Sequence, residues 1–121
     1  MKNVEGLREV QRNLAKKISG VKNMSKSAIR DVSFDLKGNS QDLAPVDTGD
    51  LRRSAYTKFE DRPGGFTGEI GYGAEYAYEQ HENLEYRHPQ GGQAKYLEQP
   101  LKENLGKYAR YIKDKSKGAM R

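Results

Sequence analysis

Cysteine is absent from the 121 residues, which removes disulfides, thiolate metal sites and a Cys nucleophile. Long apolar runs are missing as well. The start, Met-Lys-Asn-Val-Glu-Gly, lacks the apolar core of a secretory signal, and no stretch approaches the roughly 20 apolar residues of a membrane-spanning helix. The expectation is a soluble protein, made and used on the cytoplasmic side until it is packaged into something larger, with no membrane partner. Catalytic signatures are equally scarce. No Gly-rich loop leads into Lys-Ser/Thr, and Gly68 to Gly73 does not open a helix. His81, Glu82 and His88, with Glu79 and Glu85 nearby, form the one cluster rich in ligand types. It does not follow the His-Glu-x-x-His pattern that sets two imidazoles on one helical face. Carboxylates are plentiful, but acid/base work needs two of them held in a cleft with separated pKa values, and alternation along an exposed face supplies no such pair. No catalytic residue, metal, cofactor or small-molecule substrate is expected, and the chain reads as a non-enzyme.

Apolar content is low: 34% of residues are hydrophobic against 32% charged, with a mean hydropathy of −1.04. One domain of this length buries about two-thirds of its unfolded surface, so a thin core is expected over 1–121, with rigidity completed by neighbours in an assembly. The net charge of +5 is banded. Residues 1–38 hold nine Lys/Arg against four Asp/Glu, residues 39–93 five against ten, and residues 94–121 eight against three. Alternating signs suit subunits that meet through opposite charges; they equally suit amphipathic helices with Lys on their wet faces.

Val4, Leu7, Val10, Leu14 and Ile18 are spaced three, three, four and four, which predicts a helix with one narrow stripe, ending at Gly20. Met24, Ala28, Val32 and Leu36 repeat every four residues and predict a second helix from Lys22 or Asn23 to Leu43, kinked or frayed near Gly38. The two helices are expected to pair as a hairpin around Gly20. Ser54 to Phe59 has strand composition, and Asp61-Arg62-Pro63-Gly64-Gly65 is a turn. Phe66, Ile70 and Tyr72 then share one face of a second strand, with Thr67 and Glu69 on the other. Gly68, Gly71 and Gly73 invite a bulge or close approach by another chain. Ala74 to Glu82 could prolong the strand by alternation, but its Ala, Glu and Gln favour a short helix, and residues 83–93, with Pro89 and Gly91-Gly92, read as an extended loop. Leu97, Leu101, Leu105, Tyr108 and Ile112 mark a last helix starting near Gln99, with a basic, frayed end from Lys113. The fold class is α+β: an N-terminal helical pair (1–44), a β-rich middle with a small antiparallel sheet and loop 83–93 (45–93), and a C-terminal helix with a basic tail (94–121) packed on the sheet.

Between the helical and β-rich parts lies Ala44-Pro45-Val46-Asp47-Thr48-Gly49-Asp50-Leu51-Arg52-Arg53-Ser54. Pro45 stops a helix, Asp47 or Thr48 can cap a fresh turn, and Gly49 allows a tight bend. This string resembles the minor capsid or tail-completion family of long-tailed bacteriophages, neck proteins that join head to tail. The resemblance continues through Gly68-Glu69-Ile70-Gly71-Tyr72-Gly73, Tyr76-Ala77 with Glu79 and His81-Glu82, and Gly91-Gly92-Gln93-Ala94-Lys95-Tyr96-Leu97-Glu98, and it covers about Ala44 to Leu101. P-V-D-T-G-x-L-R-x-S is its most specific piece.

The resemblance implies a structural virion protein at the head–tail junction, present in the host cytoplasm during assembly. It would form a ring, of six copies, that bridges the head connector and the tail tube or tail terminator. Pro45, Asp47, Thr48, Gly49, Leu51, Arg52 and Ser54 would set the turn into the sheet. Tyr72, Tyr76, Glu79, Glu82, Lys95, Tyr96, Leu97 and Glu98 would form subunit contacts. The alternative is a basic nucleic-acid-binding protein. Tyr56 beside Lys58, Tyr96 beside Lys95, and Tyr108 and Tyr111 beside Arg110 could stack bases. Tyr72, Tyr76, Tyr78 and Tyr86, however, lie in the acidic middle, where the local potential repels phosphate, and Tyr is equally a residue of protein interfaces.

Overall fold

The computed structural model describes residues 14–21, 24–46, 49–84 and 91–119. The elements in order are β1 (Leu14–Val21), α1 (Lys26–Leu43), the single turn α2 (Asp50–Arg53), β2 (Ala55–Arg62), β3 (Gly65–Tyr72), α3 (Ala77–Glu82) and α4 (Glu98–Ala119). The strands form one antiparallel sheet of order β1-β3-β2. The fold is thus the expected mixture of helix and antiparallel sheet, with one replacement at its start.

The predicted N-terminal helical pair does not form within the described residues. Its first helix was to run from Val4 to Ile18; Leu14 to Val21 is instead a strand paired to β3, with Ile18 opposite Gly68 and Gly20 opposite Phe66. Residues 4–13 of that expectation lie outside the described residues. Leu14 and Ile18 share a face in a helix and also in a strand, so their spacing fits both periods. Pairing along the whole length of β3 decides in favour of the strand. Gly20 is therefore a strand residue and not a helical hairpin.

Helix α1 begins at Ser25, whose side chain accepts the Ala28 N–H, and continues past Gly38 to Leu43. The helix is continuous across exposed Gly38, with buried Leu36 and Ser40 on either side, so the fraying expected there does not occur. Its inner face, Ala28, Ile29, Val32, Ser33 and Leu36, packs on the face of β3 that carries Phe66, Gly68, Ile70 and Tyr72. A Cβ on Gly68 would stand 2.3 Å from Ser33 Oγ. The close approach expected at this glycine is made by the chain's own helix, small residue against small residue, and the register runs through it without a bulge.

The hairpin turns on Pro63 and Gly64 between Arg62 and Gly65, and β2 extends three residues beyond the predicted Phe59. Beside it Phe59 stacks on Phe66, and Arg30 lies over both rings. The C-terminal helix is present, but it lies along α1 and not on the sheet, because α1 already occupies the apolar face. Tyr108 donates to Asp35 at 2.7 Å, Tyr111 to Asp31 at 2.6 Å, and Ser25 N–H to Ser116 Oγ at 2.9 Å. The helices therefore run antiparallel, and the order of layers is sheet, α1, α4. Helix α4 stays regular through Gly118 to Ala119, past the Lys113 where fraying was expected. Pro100 falls in its first turn, where the missing N–H is tolerated.

Candidate functional site

The residues singled out in the sequence converge at one end of the molecule, where α1 ends, α3 runs and α4 starts. Pro45 closes α1 one residue after its C-cap, Ala44. The last carbonyls of a helix have no partner within it, and here Arg52 supplies one. Its Nε donates to Ala44 O at 3.0 Å and its guanidinium to Asp42 O at 3.1 Å. A cation at this end also complements the helix dipole. Gln41 answers by donating to Arg52 O at 2.9 Å. Gly49, with φ of 86°, occupies the N-cap of α2, Leu51 is buried, and Ser54 Oγ returns a hydrogen bond to Leu51 O at 2.7 Å. Asp47 and Thr48, expected as caps, lie outside the described residues.

The far end of the predicted loop is tied to the same place. Val46 N–H donates to Gly91 O at 3.1 Å and Gln93 N–H to Leu43 O at 2.8 Å. Gly92 has φ of 94°, and a Cβ there would stand 2.4 Å from Pro45 Cα and 2.6 Å from Ala44 O. Only glycine fits, on conformation and on space. The outward reach expected of residues 85–90 lies outside the described residues.

A buried polar column rises from this floor. Ser40 Oγ and the Tyr72 hydroxyl are 2.7 Å apart. Tyr72 meets Tyr96 edge to face at 5.0 Å between ring centroids, and Tyr96 meets His81 in the same way at 5.1 Å. Tyr96 donates its hydroxyl proton to Ala77 O at 2.6 Å. Burial pushes the Tyr72 phenol up to about 12 and raises that of Tyr96 as well, so both remain protonated donors at neutral pH.

His81 links the column to α4. Its Nε2 accepts the Glu98 N–H at 3.1 Å, capping the first turn of that helix. Nδ1 therefore carries the proton and donates to the Glu82 carboxylate. Burial holds the imidazole below its ordinary pKa. Outside it, Lys95 donates to Glu82 at 2.6 Å and its backbone N–H reaches His81 O at 2.7 Å. The Lys95 ammonium holds the Glu82 carboxyl below the usual range, and the same bond raises Lys95. The sequence offered no local sign of this cap, since its halves are 17 residues apart.

This geometry sorts the residues expected to form subunit contacts. Tyr72, Tyr96 and Leu97 are at most 1% exposed, so they build the protomer's interior and offer no contact surface. Each tyrosine hydroxyl has a buried partner, which is why burial is tolerated. Tyr76, 41% exposed, and Glu79 stand on the surface, while Glu82, Lys95 and Glu98 are half-buried in the ion cluster. Among the aromatics proposed to stack bases, Tyr96 and Tyr108 are buried and unavailable, and Tyr56 is held by Glu69 at 2.8 Å. The charge bands are in part matched internally: Lys17 meets Glu69 at 3.8 Å, Lys26 meets Asp61, and Lys95 meets Glu82.

Among the described residues no group of three or more His, Cys, Asp or Glu is gathered for a metal ion. His88 and Glu85 of the cluster weighed above lie outside them, and both nitrogens of His81 are engaged. The arrangement locks α1, α3 and α4 together and leaves a polar outer surface around Tyr76 and Glu79. No helix among the described residues is long and apolar enough to cross a membrane.

A protein-family model described as "Bacteriophage HK97-gp10, putative tail-component" matches residues 8–99. The match takes in the turn, the hairpin, α3 and the Lys95 to Glu98 corner that carried the resemblance. No curated protein and no solved structure matched the chain.

Proposed function

Since the chain belongs to the HK97-gp10-like family of bacteriophage tail components, we propose that it is a tail-completion protein of the phage neck. Copies of it close into a ring, of six by the resemblance, between the head connector and the tail tube or its terminator. It acts by fitting and holding, and it transforms no substrate. The family match over residues 8–99 carries this reading. The site supports it: its polar groups are spent on one another in a rigid corner, while Tyr76 and Glu79 face outward beside it.

The test is to make phage in cells where this gene carries a stop codon. Filled heads and separate tails are expected, with joined particles restored by adding the purified protein. Whole, infectious particles formed without it would end the proposal. Light scattering on the purified protein and on neck complexes gives the copy number.

A further inference from the structure

The internal pairing of charges leaves several exposed cations without an ion-pair partner among the described residues, Lys58, Lys107 and Lys115 among them, and three more share one ridge. On α4, Gly106, Arg110, Lys113 and Lys117 are spaced four, three and four, which places them on one ridge, and all four are exposed. None of the three cations has an ion-pair partner among the described residues. Leu105, predicted to belong to the buried stripe, is 60% exposed on the neighbouring face. With exposed Asp114 among them the three cations still leave this face net positive, a surface that fits an acidic partner.

The same protomer carries such a surface. Glu75 and Glu79 are exposed around Tyr76, and neither carboxylate has an ion-pair partner among the described residues. The two surfaces cannot meet within one copy. The acidic one lies beside the start of α4, where His81 caps Glu98, whereas the ridge runs toward Ser116, which meets the start of α1. Along α4, Arg110 and Lys113 lie 12 and 15 residues beyond Glu98, about 18 to 23 Å at about 1.5 Å per residue.

We propose that the basic ridge of α4 docks on the Glu75-Tyr76-Glu79 surface of a second copy of this chain. The contact joins two different surfaces. A twofold contact through either surface alone would set like charges face to face, whereas a head-to-tail contact satisfies every copy and closes when the rotation does. The proposal rests on the ring reading above and identifies the contact that builds it.

Charge reversal tests it. Arg110→Glu with Lys113→Glu, and separately Glu75→Lys with Glu79→Lys, would each raise the concentration for half-assembly at least tenfold, measured by sedimentation. All four positions are exposed, and circular dichroism checks that each variant stays folded. Mixing the two variants would restore assembly, because each then offers the other a complementary pair of surfaces. Wild-type assembly that weakens as salt rises is expected alongside.

A wild-type ring that survives both reversals would remove this contact and leave the ring reading intact. A wild-type chain found as single copies both in solution and in purified necks would remove both. Loss of DNA binding by the α4 variant with unchanged assembly would overturn the proposal and assign the ridge to nucleic acid.

Discussion

Where α1 crosses β3, the contact is made by leaving side chains out; where α4 begins, it is made by putting polar ones in. At the crossing, Gly68 gives Ser33 its room, and Ile29, Leu36 and Ile70 fill the rest with no exposure at all. At the corner, Ser40, Tyr72, Tyr96 and His81 are just as inaccessible, yet each makes a directed hydrogen bond. The first region depends on volume, which is indifferent to pH and tolerates rearrangement of apolar groups. The second depends on protonation and direction, because a buried polar group that loses its partner keeps the full cost of desolvation.

The comparison can be broken first at its apolar side. Leu36→Ala would lower stability by about 2–5 kcal/mol, measured by urea unfolding, with the same loss at pH 5.5 and pH 8. A loss confined to the lower pH would mean that packing and protonation are not separate. Gly68→Val would cost about 1–3 kcal/mol by overpacking. Ser33→Gly would return part of that, since Ser33 Oγ is the atom displaced. At the corner, Gly92→Ala would cost about 1–3 kcal/mol, from a disfavoured φ and contact with the Pro45 backbone; an unchanged melting temperature would show that residues 91–93 are not pinned to the end of α1. Tyr96→Phe would cost roughly 1–2 kcal/mol by leaving Ala77 O without its donor.

The pH dependence sharpens the contrast with the smallest effect. His81 is held below its ordinary pKa in the folded chain, so between its folded value and about 6.5 the unfolded chain binds more protons. The contribution of His81 is therefore complete above about pH 6.5 and is lost as pH falls through the folded value. Melting temperature measured from pH 7.5 to 5 should decline in the wild type and less steeply in His81→Gln. Equal slopes would place the titration elsewhere.

How much of this was legible depends on how local its causes are. The β2–β3 hairpin was readable because Pro63-Gly64 and the Phe66, Ile70, Tyr72 alternation lie within a dozen residues. Pro45 was readable as the end of α1 because it acts within one turn, whereas the start was expected at Lys22 or Asn23 and lies at Lys26, where Ser25 supplies the cap. Strand β1 was not readable, since Leu14 and Ile18 satisfy two periods and only β3, some 50 residues later, chooses between them. Arg52 was recognised as part of the turn, but its acceptors belong to the helix before it. Leu105 fits the stripe by spacing and is left exposed because α4 meets α1 through Tyr108, Tyr111, Ile112 and Ser116. Tyr72 and Tyr96 read as contact residues because a tyrosine's partner cannot be seen in a one-dimensional string.

The strand order has a further consequence for how the chain is made. Among the described residues β3 is the last strand synthesised and the central one, and β1 pairs with it alone. On the ribosome the first strand thus emerges long before its mate. Until residue 72 is out, the β2–β3 hairpin cannot close and Leu14 to Val21 has nothing to add to. Completion of the sheet is therefore a late, long-range event in the making of the chain.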